Sequence, residues 1–218
     1  MARLIDHTVL KAETTREQVD RLCDEALAHN FRAVCVNPVW VAHCASRLKS
    51  GTTDVAAVVG FPLGASLPES KAFEARCAVE HGALEVDMVI NLAALRAGDE
   101  RGAASDIAAV VKAAKSANAD ALVKVILETG ALSDAQIELG CAAARQAGAD
   151  YVKTSTGFHS AGGATVEHVA LLREHAGGMK VKAAGGIRDL ATAIAMIEAG
   201  ADRLGMSSGV AVVEAMPA

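Results

Sequence analysis

AGADYVKTSTGF, residues 147–158, contains the joint on which the fold turns. A helical pattern over Ser133–Ala147 ends at Gly148, where the positive φ of a helix terminus is required. A short run, Tyr151–Thr154, then begins as a strand. The same joint recurs as HGALEVDMV at 81–89 and AGADRLGMS at 199–207. Helix, glycine and strand repeated in this order mark one recurring strand–helix unit.

Outward from these joints, strands are expected at Leu4–His7, Ala33–Val36, Val55–Gly60, Glu85–Ile90, Val123–Leu127, Tyr151–Thr154, Val181–Ala184 and Arg203–Gly205. Near-continuous apolar runs such as VAAVV at 55–59 suit parallel strands covered on both faces. Helical patterns fill the gaps. Thr15–His29 carries Val19, Leu22, Cys23, Ala26 and Leu27 at helical spacing, and Ser133 and Asp189 stand where N-caps belong. Eight such units predict a single α/β domain over residues 1–218, a (β/α)8 TIM barrel, with an open doubly wound sheet as the competing arrangement.

Hydrophobic residues make up 52% of the 218 and aromatic ones 3%, so the core must be aliphatic. The net charge of −5 argues against a nucleic-acid or membrane-surface binder, and no apolar run is long enough for a membrane span. Five cysteines, an odd number without a CxxC, read as reduced thiols in a cytoplasmic protein, and the N-terminal residues do not read as a targeting segment.

In a barrel the chemistry is expected at the C-terminal strand ends. Polar residues gather there: Asp6, His7 and Thr8; Cys35 and Asn37; Asp87 and Asn91; Lys124 and Glu128; Lys153, Thr154, Ser155 and Thr156; Lys182 with Gly185 and Gly186; and Gly205 with Ser207 and Ser208. Lysines inside three consecutive strands are unusual, because burying an ammonium is costly. They could be structural ion pairs with Asp87 and Glu128. Clustered at the mouth beside an aspartate, they point instead to amine chemistry.

A free lysine has a pKa of ~10.4 and attacks no carbonyl while protonated. Two ammonium groups ~5 Å apart at an effective dielectric of ~20 repel by roughly 3 kcal/mol, or about 2 pKa units. Burial pushes the same way. One lysine of the group would then be a nucleophile at ~7–8, forming an iminium that stabilises a neighbouring carbanion. A carboxylate such as Asp87 would move the protons. Residue pattern alone does not say which lysine attacks.

Gly185-Gly186 and Gly205 with Ser207-Ser208 follow the seventh and eighth strands, where barrels commonly cradle a phosphate. These glycines could equally serve only tight turns. The seven histidines are scattered and form no metal motif, and no dinucleotide, Walker or nucleophile-elbow motif occurs. Metal chemistry is not expected. Cys35 could line the mouth or simply pack.

DHTVLK at 6–11, AVCVNP at 33–38, VVGFPLGA at 58–65, EVDMVIN at 85–91, VKVILETG at 123–130, YVKTSTGF at 151–158, VKAAGGIR at 181–188 and RLGMSSG at 203–209 together resemble the deoxyribose-phosphate aldolase family. The resemblance implies a class I aldolase, an aldehyde-lyase that needs neither a metal nor an organic cofactor. It would reversibly cleave 2-deoxy-D-ribose 5-phosphate to acetaldehyde and D-glyceraldehyde 3-phosphate in deoxynucleoside catabolism. It makes Lys153 the Schiff-base former, Lys182 the second ammonium and Asp87 the proton carrier. The glycines and serines above would hold the phosphate, with Thr154, Cys35, Thr8, Asp6 and Lys124 as further substrate contacts. Partners would be phosphosugar and aldehyde substrates and a second copy in a homodimer. Some members carry a lysine soon after KTSTG and a terminal tyrosine. Here Phe158 and His159 follow the motif, and residues 214–218 hold no tyrosine.

Two other readings stay open at this level. One keeps the imine but takes another sugar phosphate, as a transaldolase would. The other is a phosphosugar-binding barrel whose lysines only neutralise anions.

Overall fold

The computed structural model describes residues 1–217; Ala218, the last residue of the expected domain, lies outside the described residues. Eight parallel strands form a closed barrel in chain order: β1 (Ile5–Thr8), β2 (Ala33–Val36), β3 (Asp54–Val59), β4 (Glu85–Val89), β5 (Leu122–Ile126), β6 (Tyr151–Lys153), β7 (Lys180–Ala184) and β8 (Arg203–Met206). Pairing of β1 with β8 shuts the sheet and separates it from the open doubly wound alternative.

The helices are α1 (Arg16–Ala28), α2 (Val41–Leu48), α3 (Pro68–Glu80), α4 (Leu92–Arg96), α5 (Glu100–Ala117), α6 (Asp134–Gln146), α7 (Val166–His175), α8 (Leu190–Glu198) and α9 (Gly209–Glu214). Their starts follow from local chemistry. Thr15 and Ser133 form capping boxes with Gln18 and Gln136, and the Asp189 carboxylate accepts from Thr192 N–H at 2.8 Å. Gly82, Gly148 and Gly200, at the three repeated joints, have φ of 109°, 76° and 110°. They let each chain leave its helix and enter the next strand. On α1, Val19, Leu22, Cys23 and Ala26 are the buried stripe.

Several strand ends differ from expectation by one residue. β3 stops at Val59 because Gly60 has φ +60°, which ends the extended backbone. β6 stops at Lys153, and β1 begins at Ile5 and includes Thr8.

Two apolar layers result from the alternation of side chains along each strand. The larger lies between barrel and helices and includes Val34, Val86, Val125, Val152 and Leu204. The smaller, Ala33, Cys35, Ala56 and Val58, comes from β2 and β3. The other strands bring charge into the buried interior: Asp6, Glu85, Asp87, Lys124, Lys153, Lys182 and Arg203.

Candidate active site

Strand register places these charges side by side. Asp87 is opposite Lys124, Lys153 is opposite Lys182, and Lys182 in turn is opposite Arg203 on β8. Glu85 and Asp87 are two residues apart on β4 and so share a face. All three lysines converge on the Asp87 carboxylate. Lys124 Nζ donates to Oδ1 at 2.7 Å, and Lys153 and Lys182 each donate to Oδ2 at 2.7 Å. Below them, Lys182 also pairs with Asp6, Lys124 lies 2.5 Å from Glu85, and Arg203 binds Asp6 at 2.6 Å and Glu85 at 3.1 Å.

Position within this cluster separates the lysines. Burial, reinforced by the Lys182 ammonium, pushes the Lys153 amine below the ordinary lysine range against the pull of Asp87. Burial also works against charge on Lys182, but there Asp6 and Asp87 together outweigh it and hold the pKa above the usual value. For Lys124 the same burial is overcome by Asp87, Glu85 and Asp6, and the amine is held well above it. Burial would raise Asp87, yet Lys124, Lys153 and Lys182 keep it well below the usual carboxylate range. The Cys35 thiol is pushed up, first by burial and then by Asp87.

A cavity of about 590 Å³ opens over the strand ends. Of the seven charged groups in the cluster, Lys153 alone lines it. Thr8, Gly185, Gly186, Gly205 and Ser207 line it as well. Ser208 instead precedes α9 without a side-chain capping bond and donates its hydroxyl to the Ile187 carbonyl at 2.9 Å. Thr154 spends its hydroxyl on the Ala184 backbone, donating to the carbonyl at 3.1 Å and accepting from N–H at 3.0 Å. Asp6, Cys35 and Lys124 lie beneath the cavity, fully buried. His7 faces outward to Glu25, 2.7 Å away, and Glu128 accepts from the Thr156 N–H and hydroxyl rather than pairing with a lysine.

Glycine matters at two of these places. A Cβ on Gly205 would crowd Ala184 Cβ at 3.0 Å and Lys182 Cε at 3.1 Å, so a side chain there would press on the lysine. Gly185 has φ +91° and accepts from Ala164 N–H at 3.0 Å, while a Cβ on Gly163 would strike the Gly185 carbonyl. The loop after β6 thus rests directly on the loop after β7.

Sequence reasoning missed Glu85 and Arg203, which complete the charge cluster. The signal was available as period-two spacing, since Glu85 precedes Asp87 and Arg203 precedes Gly205 by two. It also missed Lys11, Gln18 and Arg188 at the cavity wall. A second buried pair lies behind β4: Lys71 Nζ reaches Asp106 at 2.8 Å and the Val89 carbonyl at 2.9 Å, and Asp106 accepts from Asn91 N–H at 3.0 Å. It braces the end of the strand that carries Asp87. Among the described residues no group of three or more His, Cys, Asp or Glu side chains is placed to hold a metal ion.

A barrel with a buried lysine cluster opening through one amine is the frame of an imine-forming aldolase. The chain belongs to the DeoC/LacD family aldolases, whose family model matches residues 1–215. Relatives carry a more particular name. Deoxyribose-phosphate aldolase of Shouchella clausii is 57% identical over 215 residues, covering 98% of this chain and 94% of that protein. Its namesake in Brevibacillus brevis is 54% identical over 214 residues, covering 98% and 95%. The tetrameric deoxyribose phosphate aldolase from Aeropyrum pernix superposes with a TM-score of 0.90 at 38% identity, covering 98% of this chain and 89% of that one.

Proposed function

We propose that this chain is a class I deoxyribose-phosphate aldolase with Lys153 as its nucleophile. The observation that carries the assignment is that Lys153 lines the cavity with a depressed pKa, whereas Lys182 is sealed beneath it with a raised one. The neutral Lys153 amine attacks the C1 aldehyde of open-chain 2-deoxyribose 5-phosphate, and loss of water leaves an iminium. A base takes the C3 hydroxyl proton, the C2–C3 bond breaks, and its electron pair enters the iminium to give an enamine. Glyceraldehyde 3-phosphate departs. Protonation at C2 and hydrolysis then release acetaldehyde and restore the amine.

Asp87 and Lys182 are the proton carriers in this scheme, because Asp87 accepts from Lys153 and Lys182 donates to the same carboxylate oxygen. In the resting cluster three cations hold the Asp87 charge, so it is a weak base; its basicity rises once Lys153 is uncharged. The phosphate is assigned to the loops after β7 and β8, through Gly185, Gly186, Gly205 and Ser207. Ser208, Thr154, Cys35, Thr8, Asp6 and Lys124 remain candidate contacts, and of these Thr8 lies on the cavity wall.

The reading includes a cytoplasmic site of action, consistent with five free cysteines, and self-association, for which a homodimer is the expected form and a tetrameric relative the supporting comparison. Light scattering on the purified chain measures the subunit number. Side-by-side assays test the substrate. Deoxyribose 5-phosphate should be cleaved with release of acetaldehyde. Ketose phosphate cleavage at a comparable or greater rate would replace this reading by a transaldolase-like one.

A further inference from the structure

Seven ionisable groups share the closed interior of the barrel, and their charges do not balance. Asp6, Glu85 and Asp87 bring three negative charges; Lys124, Lys153, Lys182 and Arg203 bring four positive ones when all are protonated. Every member is buried, the most exposed side chain being Arg203 at 5%. The other groups facing them do not alter the sum. Cys35 on β2 is a thiol, and Tyr151 on β6 is a phenol whose hydroxyl accepts from Arg203 at 3.3 Å. Arg32, 3.7 Å from Glu85 at the rim, is matched by Asp54 at 2.6 Å. Lys180 stands exposed beyond the Tyr151 ring.

An unbalanced charge in a closed interior is costly, and solvent ions screen it poorly there. The excess can leave only by loss of a proton. Arginine keeps its proton under all ordinary conditions. Lys124 and Lys182 are each gripped by at least two carboxylates, whereas Lys153 touches only Asp87, whose charge is divided among three lysines.

We propose that Arg203, on the closed side of the cluster, is a positioning residue for the aldol reaction: its permanent charge engages Asp6 and Glu85 and leaves the interior one positive charge in excess, which Lys153 relieves by giving up its proton. Arg203 touches neither the cavity nor Lys153. It acts through the charge count, by occupying carboxylates that would otherwise neutralise the lysines. The inference rests on the aldolase reading.

The acid limb of the kcat/KM–pH profile for deoxyribose 5-phosphate cleavage tests it, measured for wild type, Arg203→Met, Arg203→Lys, Glu85→Gln and the Arg203→Met/Glu85→Gln double variant. Arg203→Met balances the cluster with Lys153 still charged, so its limb moves to higher pH by about one unit, or about tenfold in rate at a fixed pH on the limb. Arg203→Lys keeps the wild-type limb. Glu85→Gln moves it to lower pH, and the double variant returns it towards wild type. A purely structural arginine would lower activity without this pattern. Limbs unmoved in both Arg203→Met and Glu85→Gln, or moved in the same direction, overturn the proposal. Should Arg203→Met fail to fold, the direction in Glu85→Gln and the limb of Arg203→Lys decide it. A wild-type chain that cleaves no substrate and traps no aldehyde would overturn the aldolase reading itself; an active wild type with unmoved limbs overturns only the role of Arg203.

Discussion

Lys153 and Lys182 are register partners on adjacent strands, and each places its ammonium nitrogen 2.7 Å from the same oxygen, Oδ2 of Asp87. One carboxylate oxygen cannot fully compensate two buried cations. Lys182 resolves the conflict through its second carboxylate, Asp6, and Lys153 has no such partner. The asymmetry between two chemically identical side chains therefore comes from what lies beneath them.

Replacing Lys182 by methionine removes the repulsion and leaves Asp87 Oδ2 to Lys153 alone. Both changes raise the Lys153 pKa. The acid limb of the rate profile should shift upward by about one to two units, together with a fall in kcat. An unshifted limb in an active, folded variant would show that Lys182 does not govern the nucleophile's proton.

Asp6 is held below the usual carboxylate range; burial works against this, and Lys182, Lys124 and Arg203 overcome it. A carboxylate with a depressed folded pKa contributes stability that is complete above its unfolded pKa of ~3.9 and is lost as pH falls through the folded value. Asp6→Asn should therefore be less stable than wild type by ~3–5 kcal/mol near neutrality, since it strands buried cations. Urea melts between pH 3 and 6 should show that gap constant at the upper end and narrowing at the lower.

Lys153→Met should abolish turnover without lowering the melting temperature. It exchanges a buried ammonium, held in an unfavourable state, for an apolar chain of similar length. A loss of several degrees would assign Lys153 a structural role that the cluster geometry does not predict.

Gly185→Ala forces a side chain into φ +91° and brings its Cβ within 2.9 Å of Gly163 Cα. Strain of ~1–3 kcal/mol is expected, with the loops after β6 and β7 pushed apart. The KM for deoxyribose 5-phosphate should rise more than that for unphosphorylated deoxyribose. Equal changes for both sugars would remove these loops from phosphate binding.

Much of this architecture is legible in the residues because parallel barrel strands leave little choice. Apolar runs such as 55–59 and glycines at 82, 148 and 200 mark the units, and a lysine in an otherwise apolar strand stands out. What stayed hidden depends on contacts across the barrel. Glu85 and Arg203 each open a strand, where a charge ordinarily faces solvent, and only closure of the sheet turns them onto one another. Lys71 and Asp106 look like surface residues of helices until α3 and α5 pack together and seal them behind β4. Residue pattern alone also leaves Lys153 and Lys182 equivalent, since their strand contexts, YVKTS and KVKAA, present each lysine in the same way, and the choice of Lys153 comes from the family resemblance.

Reductive trapping tests the central claim most directly. The purified chain is incubated with acetaldehyde and borohydride, digested, and read by mass spectrometry for a two-carbon adduct. The adduct is predicted on the peptide containing Lys153 and should disappear in Lys153→Met. Reproducible labelling of Lys182 or Lys124 instead, with Lys153 unmodified, would contradict the assignment.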